Sequence, residues 1–213
     1  MDFERARSKE QKNIRIKQIT DSARKLFETQ KYEEITLAGI AKELSFTRAN
    51  LYKYVATKEE IFLFILIEDI SSWIEDLKKR FSGKENISAE EFARTWAEVL
   101  DSNREMIKVL SLMYSIIEKN VTVDKLVSFK LEFFREFQKV LDLLKTLLPD
   151  IPQEKAYKFI QMQTYFVIGL YPATRENKIQ KQAIEKAEIP YIAPELVSTI
   201  TDFILILINS MKN

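Results

Sequence analysis

Apolar residues recur at intervals of three and four along most of the chain, which is the period of helices that bury one face. Few segments alternate between apolar and polar residues, and 3 Gly and 5 Pro leave little turn chemistry for a sheet. The pattern therefore predicts an all-α fold. Helices are expected at residues 9–30, 37–44, 48–54, 58–81, 88–101, 103–118, 122–147, 153–170 and 195–211, and the connection at 171–194 leaves room for a short helix around 177–187.

Residues that cap helices stand at most of the predicted starts. Thr36 and Thr47 fit simple N-caps, and Pro152 and Pro194 lie where a first helical turn tolerates proline. Four further starts fit the Ser/Thr-x-x-Glu/Gln capping box, and these begin at Ser8, Thr57, Ser88 and Ser102. The local signals thus agree with the periodicity.

The predicted helix at 58–81 changes character along its length. Residues 61–66 are apolar nearly all round, whereas the second half keeps a single apolar stripe that includes Trp73. A helix that is apolar all round is buried on every side, so this one is expected to leave a small bundle and enter a larger one. We therefore predict two domains, residues 1–57 and 58–213.

Composition closes most routes to catalysis and metal binding. The 213 residues include no Cys and no His, which excludes disulfides, thiolate or imidazole metal sites, Cys nucleophiles and Ser–His triads. The three glycines, at 39, 83 and 169, are too scattered for a phosphate-binding or dinucleotide-binding loop. A helical enzyme with a di-iron-like site would need Glu-x-x-His pairs. We therefore expect no enzyme, no metal site and no cofactor.

No secretion signal or membrane span is expected. The first twenty residues are highly charged. The longest apolar runs, 61–67 and 203–208, are far shorter than the ~20 residues of a transmembrane helix. The sequence therefore predicts a cytoplasmic protein with no membrane partner.

Charge is uneven along the chain, although the net charge is only +1. Residues 1–60 contain 13 basic and 10 acidic side chains, whereas the remainder contains 20 basic and 22 acidic ones. A basic N-terminal third suggests a polyanionic partner. The alternative is that a difference of a few charges arises by chance. Six basic residues lie between Arg5 and Lys17. This arm either follows the minor groove or the backbone of DNA or is a solvated tail.

The segment Thr36–Lys58, TLAGIAKELSFTRANLYKYVATK, predicts two short helices joined by a turn at 45–47, which is a helix-turn-helix candidate. In the second helix Leu51 and Val55 form the buried side. Its solvent side consists of Arg48, Ala49, Asn50, Lys53 and Tyr54. Small or polar residues beside Arg, Lys and Tyr suit a helix that reads the major groove of DNA.

Five partial motifs surround this segment in a fixed order. They are Ala23-x-x-Leu26-Phe27, Tyr32-Glu33-Glu34-Ile35-Thr36, Ile40-Ala41-x-x-Leu44, Leu51-Tyr52-x-Tyr54-Val55 and Thr57-Lys58-Glu59-Glu60-Ile61. Together they resemble the DNA-binding region of the tetracycline-repressor-like (TetR) family of transcriptional regulators, over about residues 16–66. The resemblance implies an N-terminal three-helix bundle with the helix-turn-helix, followed by a larger helical domain that binds a ligand and dimerises.

Three positions depart from the family pattern. Ser45 and Ala49 stand where the family often has Gly, and Phe46 is bulkier than the usual Val. A non-Gly residue in a left-handed conformation costs about 1 kcal/mol, so the turn at Ser45 is expected to differ slightly.

The resemblance implies DNA-binding roles for eight residues. Thr36 matches a phosphate-contacting cap, and Lys58 matches a phosphate-binding lysine. The start of the recognition helix and its contact cluster match at Thr47, Arg48, Asn50, Tyr52, Lys53 and Tyr54. Simpler roles stay open: the threonines as caps only, Tyr52 as a bundle residue, and the lysines as solvated surface. Arg48 either reads guanine through two hydrogen bonds or clamps a phosphate.

The last two long helices, 153–170 and 195–211, are apolar on two sides and are expected to be buried on two sides. The resemblance implies that they form a dimer interface, with the candidates Ile160, Val167, Ile200, Phe203, Ile204 and Leu207. A helix at the centre of a monomer core is the alternative. A two-fold dimer would place two recognition helices on a near-palindromic operator.

An effector pocket is also implied in the C-terminal domain. Aromatic and soft side chains, with a polar group for orientation, are typical of such pockets. The candidates are Trp96, Met113, Tyr114, Phe133, Phe137, Gln163 and Tyr165. For each of them ordinary core packing is the alternative, and an apolar or aromatic effector is expected.

The sequence thus predicts a dimeric TetR-like regulator, by family default a repressor, which binds operator DNA and is released by a small molecule. The rival prediction is a helical scaffold protein whose helix-turn-helix docks another protein. Such a protein would show no salt-dependent binding to DNA.

Overall fold

The computed structural model describes residues 2–85, 87–175, 178–188 and 190–212, with the side chains of 2–9 and 212 outside the description. Within these ranges the chain forms ten α-helices and no strand, which confirms the all-α prediction. The helices are α1 Asp2–Thr29, α2 Leu37–Glu43, α3 Arg48–Leu51, α4 Lys58–Arg80, α5 Ala89–Ser102, α6 Arg104–Leu112, α7 Val123–Leu147, α8 Gln153–Ala173, α9 Lys178–Ala187 and α10 Leu196–Lys212.

Several predicted caps are formed. The hydroxyls of Thr36, Thr47 and Ser88 accept hydrogen bonds from the backbone N–H groups three residues later, at 3.1, 3.2 and 3.1 Å. The cap predicted at Ser8 is wrong, because α1 already begins at Asp2. Residues 2–9 are mostly strong helix formers, and this extends the helix past the predicted start.

Two predicted helices are shorter than expected. The helix predicted at 48–54 ends at Leu51, and Tyr54 N–H donates to the Leu51 carbonyl at 3.0 Å in a tighter turn. The helix predicted at 103–118 ends at Leu112 and continues as a π-helical turn, Met113–Ile117, and a 3₁₀ turn, Glu118–Asn120. The Asn120 amide donates to the Ile116 carbonyl at 2.7 Å, and such side-chain bonds compete with the regular helix.

The chain divides into two compact units. The first combines Met1–Glu68 with Leu112–Glu132, and the second combines Asp69–Ser111 with Phe133–Asn213. Helices α4 and α7 each contribute residues to both units. The functional division predicted at residue 57 stays a prediction.

Aromatic side chains form the centre of each unit. In the first, the rings of Phe27 and Tyr32 meet that of Phe62 edge to face, at centroid distances of 5.0 and 4.9 Å. In the second, the Trp96 ring lies 5.4 Å from Trp73 and 5.5 Å from Phe159. Such pairs stabilise a core beyond the burial of their area. Among the described helices, none is long and apolar enough to cross a membrane.

Candidate nucleic-acid interface and C-terminal cavity

Helix α3 is held against the first unit by its apolar side. Leu51 and Val55 are buried, and Ile40 and Ala41 bury the adjoining face of α2. Between the two helices Ser45 adopts a left-handed backbone, with φ of 55°. The turn therefore keeps the conformation that glycine favours, so the expected difference is wrong, and the backbone at Ser45 is strained.

The opposite side of α3 faces solvent. Arg48, Asn50 and Lys53 are exposed, and Tyr52 is 57% exposed. Tyr54 is half-buried. Neither Arg48 nor Lys53 has an ion-pair partner within the described part of the chain. The structure thus brings four exposed predicted residues and the half-buried Tyr54 together at one basic surface, which we call the α3 face.

The two threonine caps stand at the starts of α2 and α3. Thr36 and Thr47 are exposed, and each hydroxyl already accepts a backbone hydrogen bond. A hydroxyl can accept one bond and still donate one. Capping and contact with a phosphate are therefore compatible at both positions.

The ammonium group of Lys58, in contrast, already forms hydrogen bonds within the protein. Its Nζ donates to the carbonyl oxygens of Tyr32 at 2.7 Å and Ile35 at 2.9 Å, and it lies 4.2 Å from the centre of the Tyr32 ring. An ammonium has three N–H donors, so one remains for a further acceptor. The Tyr32 hydroxyl donates to Glu59 at 2.9 Å, and burial, together with this carboxylate, raises the pKa of Tyr32.

The start of α4 is also tied to the start of α7. Glu60 is only 2% exposed, and its carboxylate accepts from Lys125 Nζ and from Ala56 N–H, both at 3.2 Å. The Thr57 hydroxyl donates to the Asn120 carbonyl at 3.3 Å. Sequence reasoning missed this connection, because no local signal pairs Glu60 with a residue 65 positions later.

The basic arm is part of α1. Arg15 lies over the Phe46 ring at 5.4 Å. Lys17 pairs with Asp21 at 2.8 Å and with Glu68 at 3.1 Å, and the hydrogen bond to Asp21 raises the pKa of Lys17. The side chains of Arg5, Arg7 and Lys9 lie outside the described residues.

The second unit contains a cavity of about 50 Å³. Of the predicted pocket residues, Phe133, Phe137 and Gln163 line it. The complete lining is Ile70, Trp73, Leu100, Met106, Ile107, Leu110, Phe133, Phe137, Val140, Ile160, Gln163, Thr164, Val167 and Ile168. No lining side chain is ionisable, and the volume is well below the ~300–1,000 Å³ of drug-sized pockets.

The other four pocket candidates lie elsewhere. Trp96 is buried in the aromatic cluster of the second unit. Met113 and Tyr114 belong to the first unit. Tyr165 is 56% exposed.

Two polar atoms of the cavity lining are buried without a hydrogen-bond partner among the described residues: Trp73 Nε1 and Gln163 Oε1. The amide nitrogen of Gln163 donates to the Ile160 carbonyl at 3.2 Å and to Thr164 Oγ1 at 2.8 Å. Sequence reasoning missed Trp73, which it placed in a core stripe. The only available signal was that a buried indole N–H usually needs a partner.

Most of the predicted interface residues are buried within one chain. Ile160, Val167, Ile200, Ile204 and Leu207 are at most 5% exposed, and the first two line the cavity. Phe203 is half-buried, and its ring stacks on Phe166 at 3.8 Å. The apolar residues that α8 and α10 expose include Met162 and Ile206, at 37% and 66%.

Family models match two adjoining parts of the sequence. Residues 19–65 match the model described as bacterial regulatory proteins, tetR family. Residues 67–212 match the model described as tetracyclin repressor-like, C-terminal domain. No curated protein matches the sequence significantly.

Solved structures share the fold over nearly the whole chain. The TetR family repressor AlkX from Dietzia sp. strain DQ12-45-1b, implicated in biodegradation of n-alkanes, has 12% identity and a TM-score of 0.55, covering 92% of this chain and 96% of its own. The multidrug binding protein EbrR, complexed with imidazole, has 14% identity and a TM-score of 0.55, covering 91% and 94%. The fatty acid degradation regulator FadR from Bacillus halodurans has 16% identity and a TM-score of 0.53, covering 89% and 94%.

Proposed function

Because the chain belongs to the TetR family of transcriptional regulators, we propose that it is a dimeric repressor released from a near-palindromic operator by a small molecule. DNA binding is assigned to residues 1–57, and effector binding and dimerisation are assigned to residues 58–213. DNA binding and ligand-responsive regulation are typical of the family.

The α3 face carries the proposal for DNA binding. Its cations are exposed, and Leu51 and Val55 anchor the helix from behind. Side chains presented in this way can meet base edges in the major groove, while basic groups hold phosphates. Arg48 is proposed to contact guanine or a phosphate, and Asn50, Tyr52, Lys53 and Tyr54 to complete the contact surface. Thr36, Thr47 and the remaining N–H of Lys58 are proposed to bind phosphates.

Selection of random DNA duplexes by the purified protein at two salt concentrations tests the proposal. We expect a near-palindromic consensus and an affinity that falls steeply as salt rises, because bound cations release counterions. Arg48→Ala should relax one symmetric pair of positions if Arg48 reads a base, and it should lower affinity by about tenfold or more. Lys145→Ala, an exposed lysine of α7, is the matched control and should leave binding unchanged.

Absence of enrichment at either salt, also after unfolding and refolding to remove a bound effector, would overturn the proposal. It would favour the rival, in which the helix-turn-helix docks a protein. Enrichment of one half-site without symmetry would keep DNA binding and refute the dimer on DNA.

For dimerisation we propose the face of α8 and α10 that includes Met162, Phe166, Phe203 and Ile206. These residues are spaced by three or four along each helix and are exposed or half-buried. An apolar patch of this kind marks an association surface. Ile206→Glu should therefore convert a dimer to a monomer in analytical ultracentrifugation. Ile192→Glu, which changes a residue that is 91% exposed before α10, should leave the mass unchanged. An Ile206→Glu protein that remains dimeric would refute this interface.

Release by an effector is proposed to proceed through a population shift, in which the ligand favours a dimer that no longer matches the operator. Helices α4 and α7 support this route, because each lines the cavity and each supplies one residue of the Glu60–Lys125 ion pair. The small cavity must widen to hold a drug-sized effector. Binding and opening would therefore be coupled.

A further inference from the structure

The cavity of the second unit is apolar except for a few polar atoms, and two of these are unpaired. Trp73 is 5% exposed and Gln163 is 3% exposed, so water outside the protein does not satisfy either group. Trp73 Nε1 can only donate a hydrogen bond, whereas Gln163 Oε1 can only accept one. Buried groups of this kind normally have a partner, and each one without a partner needs an explanation.

The orientation of the Gln163 amide is supported by its surroundings. Its nitrogen donates to the Ile160 carbonyl at 3.2 Å. A carbonyl oxygen cannot donate, so exchanging the amide nitrogen and oxygen would place two acceptors against each other. The unpaired atom of Gln163 is therefore its oxygen, and the cavity lacks a donor for it.

The lining also excludes charge. None of the fourteen lining residues is Lys, Arg, Asp or Glu, and the chain has no His or Cys. A charged ligand would lose its hydration without gaining a counter-ion, which disfavours binding strongly. An uncharged ligand loses only its hydrogen bonds with water, and hydrogen bonds to the two unpaired atoms can replace these.

From these three observations we propose that the cavity binds an uncharged, largely apolar molecule that offers an acceptor to Trp73 Nε1 and a donor to Gln163 Oε1, as a hydroxyl or amide group does. The inference rests on the proposed function, since it identifies this cavity as the effector site. About 50 Å³ holds roughly three to five waters at ~10–15 Å³ each, so the cavity has room for the polar group of such a ligand and must widen for the rest of the molecule.

Calorimetric titration of the purified full-length protein with a matched series tests the proposal. The probes are benzyl alcohol, benzamide, toluene, benzoate and benzylammonium at pH 7. We expect benzyl alcohol and benzamide to bind about three- to tenfold more tightly than toluene for each hydrogen bond formed. Benzoate and benzylammonium should show no binding.

Two variants assign the preference to the two atoms. Gln163→Met and Trp73→Phe should each reduce the preference for benzyl alcohol over toluene, because the first removes the amide with its unpaired oxygen, the second removes the indole N–H, and each leaves an apolar side chain. Gln161→Met, the same change at a half-buried residue of α8 outside the lining, should leave the preference unchanged. Thermal unfolding checks that all three variants fold, and the Trp73→Phe and Gln163→Met results stand independently if one does not.

Equal or tighter binding of benzoate or benzylammonium would overturn the proposal. So would a preference for the alcohol that survives both cavity substitutions. Binding of none of the five probes would also overturn it and would assign the two atoms to internal water. Operator binding without ligand is measured in parallel: if it is intact while no probe binds, the ligand class fails and the DNA-binding proposal stands. If the alcohol binds but leaves operator affinity unchanged, the ligand class stands and the proposed regulation fails.

Discussion

Lys58→Met separates the structural role of Lys58 from its predicted role at DNA. The substitution keeps the aliphatic stem and removes the ammonium that donates to Tyr32 and Ile35 at 2.7 and 2.9 Å. The Tyr32 carbonyl keeps a second donor, Ile35 N–H at 3.2 Å. The variant therefore loses two charge-assisted hydrogen bonds and the contact with the Tyr32 ring.

The magnitude follows from these contacts. Hydrogen bonds to a charged group contribute about 1.5–3 kcal/mol each, and a cation over an aromatic ring contributes about 0.5–1 kcal/mol at exposed sites. Lys58 is half-buried, so water can partly replace its bonds. We expect a loss of about 3 kcal/mol, a large part of a stability of about 5–15 kcal/mol. For a chain of this length the Tm should fall by roughly 6–12 °C.

Thermal and urea unfolding measure this loss. Lys53→Met is the matched control, because Lys53 is exposed on the α3 face and its removal should change stability by no more than about 0.5 kcal/mol. The two lysines should behave oppositely: Lys53→Met weakens DNA binding without lowering the Tm. A loss below about 1 kcal/mol for Lys58→Met would refute the structural role. A salt slope lower by about one, measured where the variant is folded, would support a phosphate contact by Lys58 as well.

Three further predictions concern the first unit. Ser45→Gly should stabilise the protein by about 0.5–1 kcal/mol in urea unfolding, because it relieves a left-handed backbone strain of about 1–2 kcal/mol and adds an unfolded-state entropy cost of only about 0.4–1 kcal/mol. The control Gly83→Ala, at φ of 70°, should destabilise the protein. A destabilising Ser45→Gly would contradict the strain at Ser45. Glu60→Gln should lower the free energy of unfolding by about 2 kcal/mol, which is less than for a fully buried pair because Lys125 is 42% exposed. The control Glu132→Gln, at an exposed position, should change the stability very little. Equal losses for the two variants would show that the Glu60–Lys125 pair does not stabilise the protein. The pKa of Tyr32 is raised in the folded protein from an ordinary value of 10.0, so the stability gained from the protonated Tyr32 is complete below pH 10 and is lost as the pH rises further. Tyr32→Phe should therefore flatten the decline of stability at alkaline pH. An unchanged pH profile of stability would contradict this role of Tyr32.

Local features of this protein were predictable from its sequence. The helical period, the caps at Thr36, Thr47 and Ser88, and the exposure of Arg48 and Lys53 depend on residues within a few positions of one another. Hydrogen bonds within a helix turn and the spacing of apolar residues determine such features, and both can be read from neighbouring positions in the sequence. The motifs between Ala23 and Ile61 were also sufficient to suggest the family to which the chain belongs.

Tertiary packing decided the rest. Lys58 finds its carbonyl partners 26 and 23 residues earlier, and Glu60 pairs with Lys125. The cavity is assembled from α4, α5, α6, α7 and α8, which places Trp73 and Gln163 in one lining and leaves Trp96 outside it. Periodicity shows that a helix has an apolar face but cannot show which other helix covers it. Ile160 and Val167 therefore fitted an interface and a monomer core equally well in sequence, and only the packing of α8 shows that they line the cavity.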